Sequence, residues 1–322
     1  MLGRGFATLG LASALALEGC AASSQRASIR AFDPVAMDAP AGEPPAETPE
    51  LQFSSEGALL NGYAHIAAGA GPHPTVLLLH GFPGNERNLD IAQALRRAGW
   101  NAFFFSYRGA WGSGGAFSFG NALADAAAVI AQLREPAFAK RYRVDPERIV
   151  LVGHSMGGAV ALISAAERSE VRCVASFAGA NLGALADAVA ASPEATAAAA
   201  KRFEEWGEGR IRGISGELML AELLAERERF RLTRHAAALA RMPVLLVAGA
   251  RDDVTTPEQN HAPLVAAIRA QRGTLTELIL DADHQFSQTR IALTRALLDW
   301  LATSCEPRLA SEARSEARDR AS

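Results

Sequence analysis

The chain has 322 residues, of which 49% are apolar and 21% are charged, and 32 basic against 35 acidic side chains give a formal net charge of −3. This apolar fraction excludes a mainly disordered chain, and a chain of this length can bury a substantial core. The near-neutral charge argues against a nucleic-acid-binding protein, and no apolar run reaches the ~20 residues of a membrane-spanning helix.

The first 20 residues have the pattern of an export signal. A single basic residue precedes an apolar stretch from Phe6 to Leu17, whose length is typical of a signal-peptide core. Residues 17–20, Leu-Glu-Gly-Cys, resemble the bacterial lipoprotein box, in which the cysteine is lipidated, although Glu18 departs from that pattern. We therefore expect an exported protein, periplasmic or attached to a bacterial membrane through lipidated Cys20. The alternative is an alanine-rich helix at the N-terminus of a cytoplasmic enzyme.

The segments that flank the central part of the chain are expected to be unstructured. Residues 21–50 contain five prolines and few large apolar side chains. Because proline removes backbone donors, this composition predicts an extended, disordered tether. Residues 302–322 are polar, contain the tandem repeat SEAR-SEAR, and are predicted to form a frayed or disordered tail.

Residues 51–301 alternate between strand-like and helix-like patterns. They begin with a predicted β-hairpin over residues 51–66, whose turn is Glu56-Gly57. Short apolar runs typical of buried parallel strands then alternate with amphipathic helical stretches. The runs are residues 75–79, 101–105, 148–152, 172–177, 244–248 and 275–280, and the helical stretches are residues 88–98, 121–133, 157–168, 257–271 and 289–301. This alternation predicts an α/β fold, a mostly parallel sheet with helices on both faces and a ligand site at the carboxyl ends of its strands.

One interval in this alternation is unusually long. Residues 179–242 separate two predicted strands and are alanine-rich and helical in pattern. We expect this insertion to form a helical cap over the strand ends, and the alternative is additional packing with no role in substrate choice.

The strongest functional signal is the sequence Gly153-His154-Ser155-Met156-Gly157, which fits the pattern G-x-S-x-G between a strand and a helix. In that context the serine lies on a strained turn with its hydroxyl exposed at the edge of the sheet. Glycines are needed at positions 153 and 157 because side chains would collide in so tight a turn. Ser155 is therefore predicted to be a nucleophile.

A serine hydroxyl needs a base, and the base needs a carboxylate to orient it. His284 lies in the loop after the last predicted strand, at the same rim as Ser155, and is predicted to be the general base. His154 is expected to pack beneath the turn. Asp252 follows the preceding strand and is the favoured carboxylate, with Asp253 as the alternative.

The loop after the first parallel strand has the sequence His80-Gly81-Phe82-Pro83-Gly84 and is predicted to lie near the nucleophile. We expect the backbone N–H groups of Phe82 and Met156 to stabilise an oxyanion. The glycine-rich residues 106–117 match no phosphate-binding motif and are expected to form a wall of the pocket, with plain packing in the core or at the surface as the alternative. His80, within its own loop, and Trp111 and Phe117 are the candidate pocket residues.

The motifs HGFPG, SYRGAWGSGG, GHSMGG, GARDD and DADHQF occur in the order and at intervals similar to those of the α/β-hydrolase superfamily, which the chain resembles over residues 51–301. The order Ser155, Asp252, His284 is also that of this superfamily. The resemblance is to the branch of the dienelactone hydrolases and the prolyl-oligopeptidase-like and serine-aminopeptidase-like enzymes. It implies a serine hydrolase without a cofactor, acting on small-molecule esters, thioesters or amides.

A carboxylesterase-like hydrolase is the favoured function, and two alternatives stay open. One is a serine peptidase or aminopeptidase, which would need an acidic group in the cap, for which the candidates are Glu204, Glu205, Glu208 and Glu217. The other is a non-catalytic binding module on a hydrolase scaffold. No metal site or nucleic-acid partner is expected, and the sequence does not indicate an oligomeric state.

The chain has three cysteines, too few and too widely spaced for a disulfide scaffold or a zinc site. Cys173 lies in a predicted strand, where we expect it to be a small buried apolar residue. Cys305 is expected to be a free thiol at the edge of the tail.

Overall fold

The computed structural model describes residues 32–306, so the predicted signal, its lipidation site Cys20 and residues 307–322 of the predicted tail lie outside the described residues. Within this range the chain forms eight strands and ten α-helices. The strands are β1 (Glu50–Ser55), β2 (Ala58–His65), β3 (His73–Leu79), β4 (Asn101–Phe105), β5 (Val144–His154), β6 (Val171–Phe177), β7 (Val244–Gly249) and β8 (Leu275–Leu280). The helices are α1 (Leu89–Arg97), α2 (Phe119–Arg134), α3 (Pro136–Tyr142), α4 (Met156–Glu167), α5 (Leu182–Val189), α6 (Pro193–Gly207), α7 (Gly216–Ala225), α8 (Ala236–Leu239), α9 (Ala262–Ala270) and α10 (Arg290–Trp300).

All eight strands belong to one sheet with the order β1-β2-β4-β3-β5-β6-β7-β8. The predicted hairpin forms the edge, where β1 pairs antiparallel with β2 and β2 pairs antiparallel with β4. Every other neighbouring pair is parallel. The predicted α/β fold with a mostly parallel sheet is confirmed.

The middle of the sheet is buried on both faces because its central strands contain runs of consecutive apolar residues, such as Val76–Leu79 in β3, 149–152 in β5 and 244–248 in β7. In β3, Leu77 and Leu79 point to the face covered by α2 and α4, whereas Val76 and Leu78 point to the face covered by α1 and α10. This period of two is the expected geometry of a strand. The parallel strands therefore all end at one edge, where the loops that carry the predicted functional residues meet.

The predicted disordered tether is wrong for residues 33–50, which pack on the domain. The Glu47 carboxylate lies 2.7 Å from the guanidinium of Arg143, and Asp33 lies 2.8 Å from the guanidinium of Arg295. Glu47 also forms a β-bridge with Ile66, directly after β2. Proline-rich sequence does not prevent docking where charged side chains and backbone groups find partners.

Residues 179–242 contribute α5 to α8 and a 3₁₀ turn (Leu232–His235). After α6 the chain forms a β-bridge between Ile211 and Ala110 in the glycine-rich loop. Glu222 of α7 accepts hydrogen bonds from the N–H groups of Phe119 and Gly120 at the start of α2, at 2.9 and 2.8 Å. Two separate contacts thus attach this insertion to the body of the domain.

The expectation of a free Cys305 is wrong, because Cys305 forms a disulfide with Cys173. Cys173 lies in β6, and Cys305 ends the π-helical turn (Leu301–Cys305) that continues α10. Since α10 crosses this face of the sheet, its last turn lies over β6 and the two Cα atoms are 6.0 Å apart. The bond joins residues separated by 132 positions, and both side chains are fully buried.

None of the helices formed by the described residues is both long and apolar enough to cross a bilayer.

Candidate active site

Ser155 occupies a strained turn between β5 and α4. Strand β5 ends at His154 and α4 begins at Met156, so a single residue makes the connection. Ser155 has φ 57° and ψ −123°, a backbone conformation that residues other than glycine rarely adopt. The turn projects the serine hydroxyl from the carboxyl edge of the sheet, at the start of a helix.

The two glycines of the motif are required by the packing of the turn. A Cβ atom at Gly153 would lie 1.9 Å from the carbonyl oxygen of Gly157, and one at Gly157 would lie 2.1 Å from the carbonyl oxygen of Leu79. Both contacts are with backbone, which cannot move aside. Any side chain at either position would therefore force β5, α4 and the end of β3 apart.

The three side chains predicted to meet at this edge form a row of hydrogen bonds. Ser155 Oγ lies 3.0 Å from His284 Nε2, and His284 Nδ1 lies 2.8 Å from Asp252 Oδ2. A carboxylate only accepts, so Nδ1 carries the hydrogen and Nε2 is left as the acceptor for the serine hydroxyl. The loops after β5, β7 and β8 supply one residue each.

Asp252, not its neighbour Asp253, is the carboxylate in contact with His284. Asp252 is 4% exposed, whereas Asp253 is exposed to solvent. Burial opposes ionisation of Asp252, but hydrogen bonds from His284 and Thr255, together with the charge of His284, outweigh it and lower its pKa to about 2. Asp252 is thus held as a carboxylate.

Thr255 is a further member of this arrangement, one that was not evident from the sequence. Its N–H donates to Asp252 Oδ1 at 2.8 Å, and its hydroxyl lies 2.7 Å from Asp252 Oδ2 and 2.9 Å from the carbonyl oxygen of Ala178. Thr255 therefore orients the carboxylate that orients His284. Its place three residues after Asp252, just before the Thr-Pro start of the next helical turn, is the sequence signal that could have indicated it.

The loop after β3 lies directly against the serine. A Cβ atom at Gly81 would be 2.9 Å from Ser155 Cβ, so only a glycine allows this approach. The N–H groups of Phe82 and Met156, the predicted oxyanion donors, have no hydrogen-bond acceptor among the residues that the structure describes. Two free donors therefore flank the serine from separate segments of backbone.

Ser155 and His284 open into a cavity of about 420 Å³. Its remaining lining comes from the loop after β3, from the end of α6 and the residues beyond it, and from the loops after β7 and β8. The residues are Gly81, Phe82, Pro83, Gly84, Asn85, Glu86, His154, Glu205, Trp206, Arg210, Val254 and Gln285. The insertion thus contributes Glu205, Trp206 and Arg210 to the wall, and the cavity is large enough for a small molecule.

None of the three candidate pocket residues lines this cavity, as far as the described residues form it. His80 is buried beneath the loop, where its Nδ1 lies 2.7 Å from the Gly81 carbonyl oxygen. Phe117 packs in the core against Phe82, with ring centroids 5.4 Å apart. Trp111 lies behind the same loop and donates from Nε1 to the Pro83 carbonyl oxygen at 2.6 Å. For residues 106–117 the structure therefore matches the packing alternative and not the pocket wall, because Phe117 and Trp111 pack against the loop from behind.

The loop carrying His284 and the loop after β3 are joined by an arginine. Arg290 begins α10, and its guanidinium lies 2.5 Å from Asp90 Oδ1 and 3.0 Å from Asn88 Oδ1 at the start of α1. The same guanidinium lies 3.8 Å from Glu86, which lines the cavity.

Within residues 32–306, no group of three or more histidine, cysteine, aspartate or glutamate side chains is arranged to hold a metal ion.

A family model described as the alpha/beta hydrolase family matches residues 76–293 of the chain. The uncharacterized protein YfhR of Salmonella typhi is 29% identical over 248 residues, which cover 76% of each chain. YfhR of Escherichia coli O157:H7 is 31% identical over 141 residues, which cover 41% of this chain and 48% of that protein. The match to this second relative thus spans about half of its length.

Solved structures are similar in fold. The Pyrococcus horikoshii acylaminoacyl peptidase superimposes with a TM-score of 0.59 at 14% identity, covering 80% of this chain and 41% of that chain. A Pyrococcus furiosus esterase gives a TM-score of 0.60 at 18% identity, covering 80% of this chain and 92% of that chain. At these identities the likeness shows the fold alone.

Proposed function

The chain belongs to the alpha/beta hydrolase family, and from that premise we propose that it is a serine hydrolase that cleaves a carboxylic ester or thioester through an acyl-enzyme on Ser155. The observation that carries the proposal is the unbroken row of hydrogen bonds from Asp252 through His284 to Ser155, which ends in a cavity. A purely structural role of His284 would not explain why a serine in a strained backbone conformation lies 3.0 Å from its Nε2 beside an open cavity.

The acylation step follows from the direction of these hydrogen bonds. His284 Nε2 accepts the proton of Ser155 as Oγ attacks the acyl carbon. The resulting imidazolium keeps its Nδ1–H on Asp252, whose negative charge stabilises it. The carbonyl oxygen of the substrate becomes an oxyanion as the new C–O bond forms.

We expect the free N–H groups of Phe82 and Met156 to stabilise that oxyanion, and one such donor is worth roughly 3–4 kcal/mol of barrier. When the intermediate collapses, protonated His284 gives its proton to the departing alcohol or thiol. Water then attacks the acyl-enzyme with His284 again as base, and the acid leaves with Ser155 restored. This mechanism uses no cofactor.

Hydrolysis of an amide or a peptide is the second candidate, since the carboxylate of Glu205 lines the cavity and could hold a substrate amine. Glu205 already pairs with Lys201, however, and Glu204 accepts the N–H of Gly216 at 2.6 Å. Both are exposed to solvent. Because both carboxylates already have partners, ester hydrolysis is favoured over amide hydrolysis. The ratio of p-nitrophenyl butyrate turnover to aminoacyl-naphthylamide turnover separates the two candidates.

The decisive experiment measures turnover of p-nitrophenyl acetate and butyrate, and of a thioester, by the wild type and Ser155→Ala. Loss of the nucleophile is expected to lower kcat on the order of 10⁶-fold. Asp252→Asn should lower kcat on the order of 10⁴-fold, because the histidine loses its tautomer. The matched control is Asp253→Asn, which is expected to stay within twofold of the wild type.

A fluorophosphonate probe tests the non-catalytic alternative, since only an activated serine is labelled. Equal turnover by the wild type and Ser155→Ala, together with no labelling, would overturn the proposed function.

We further propose that the protein is exported, to the periplasm or to a bacterial membrane through lipidated Cys20. The disulfide between Cys173 and Cys305 supports this proposal, because such bonds persist in oxidising compartments and are rare in the cytosol. Mass spectrometry of the mature N-terminus tests it. An N-terminus at Cys20 with an attached lipid is the expected result, and an intact Met1 in the cytosolic fraction contradicts it.

A further inference from the structure

The residue before the serine makes a contact that the proposed mechanism does not use. His154 is buried at the end of β5, and its Nε2 lies 2.8 Å from the backbone carbonyl oxygen of His284. A carbonyl only accepts, so Nε2 of His154 carries the hydrogen and donates it. The two imidazole rings are 4.9 Å apart, and the ring of Phe286 lies 6.5 Å from that of His154.

This contact is a constraint on an otherwise irregular loop. Residues 281–289, between β8 and α10, form no strand or helix. Across residues 32–306, the bond from His154 is the one hydrogen bond made by the backbone of His284. It therefore ties the backbone of the proposed base to the strand that presents the proposed nucleophile.

We propose that His154 is a positioning residue: by holding the His284 carbonyl, it fixes the distance between His284 Nε2 and Ser155 Oγ. This inference rests on the proposed function. A general base must lie within about 2.6–3.2 Å of the group whose proton it takes, and a displacement of 1 Å can cost about 100-fold in rate. The observed 3.0 Å is near the upper end of that range, so little movement of the loop is tolerated.

The protonation state of His154 is consistent with a permanent hydrogen-bond donor. Burial, and then the charge of the neighbouring His284, lower the pKa of His154 to about 3. His154 therefore stays neutral at physiological pH and remains neutral when His284 becomes an imidazolium during the reaction. We expect its hydrogen bond to the His284 carbonyl to persist when His284 becomes an imidazolium.

The test compares His154→Leu, which fills similar space without a donor, with His154→Gln, which keeps an N–H of similar reach. We expect His154→Leu to lower kcat on p-nitrophenyl butyrate about 10–100-fold with KM within twofold, and to slow fluorophosphonate labelling of Ser155 by the same factor. His154→Gln should recover most of that loss. The control is His261→Leu, which removes another buried histidine, one that contacts Glu277 and not the site, and should leave kcat unchanged.

A second measurement separates positioning from a general structural role. If His154 acts only through His284, adding His154→Leu to His284→Ala should not lower the residual rate further. An equal loss in both backgrounds, or equal rates for the Leu and Gln variants, would refute the inference. His154→Asn, whose amide is too short to reach, replaces His154→Leu if that variant does not fold, and the same loss is expected of it. The proposed function fails separately, if Ser155→Ala keeps the wild-type turnover and Ser155 is not labelled by the fluorophosphonate.

Discussion

Reduction of the bond between Cys173 and Cys305 is expected to destabilise the protein without affecting the reaction. The bond closes a loop of 132 residues. In the chain-entropy treatment, a loop of that length lowers the entropy of the unfolded chain enough to stabilise the fold by about 5 kcal/mol. For a domain of this size, 1 kcal/mol corresponds to about 2 °C, so reduction should lower Tm by about 10 °C.

The assay is thermal unfolding followed by circular dichroism, with and without a phosphine reductant. Cys305→Ala and the double variant Cys173→Ala/Cys305→Ala should both have a Tm close to that of the reduced wild type. Adding reductant should not change the Tm of either variant further. Because Cys173 lies near the start of β6, at the edge opposite Ser155, turnover at 25 °C is expected to stay within twofold. An identical Tm for the oxidised and reduced wild type would refute the reasoning.

Three further predictions concern the site and the insertion. Because the pKa of Asp252 is lowered to about 2, its carboxylate stabilises the fold fully above about pH 4 and loses that effect as the pH falls towards 2. The difference in unfolding free energy between the wild type and Asp252→Asn, measured in urea, should therefore shrink from pH 5 to pH 3. Arg290→Gln, which loses the ion pair with Asp90, should lower kcat about 3–30-fold with Tm little changed, and an unaltered kcat would contradict the coupling between the two loops. Glu222→Gln removes the charged acceptor from both N–H groups at the start of α2 and leaves one of them without any acceptor, since an amide has a single carbonyl oxygen. It should lower the unfolding free energy by about 1–2 kcal/mol in urea titrations, whereas no change would mean that water replaces the carboxylate.

Much of this arrangement could be predicted because local sequence reports local geometry. The glycines at 153 and 157 imply a turn that tolerates no side chain, and the strand before and the helix after it imply where Ser155 points. The alternation of apolar strand-like runs with helical stretches implies which loops lie at the same edge of the sheet. On that basis Asp252 and His284 could be expected to lie close together.

The rest depends on contacts between distant segments that no local pattern encodes. Cys173 and Cys305 meet only because α10 crosses the sheet at a particular angle. Trp111 lies behind the loop and not in the cavity because its indole bonds to a carbonyl 28 residues earlier. The docking of residues 33–50 likewise depends on charged partners, such as Arg143, that lie far along the chain.

Arg290 links two of the loops that form the site. Its guanidinium links the segment that carries His284, the predicted base, to the segment that follows Phe82, a predicted oxyanion donor, so we expect the two to move together. If the loops at this edge of the sheet shift, the distance between the two groups should change less than the position of either.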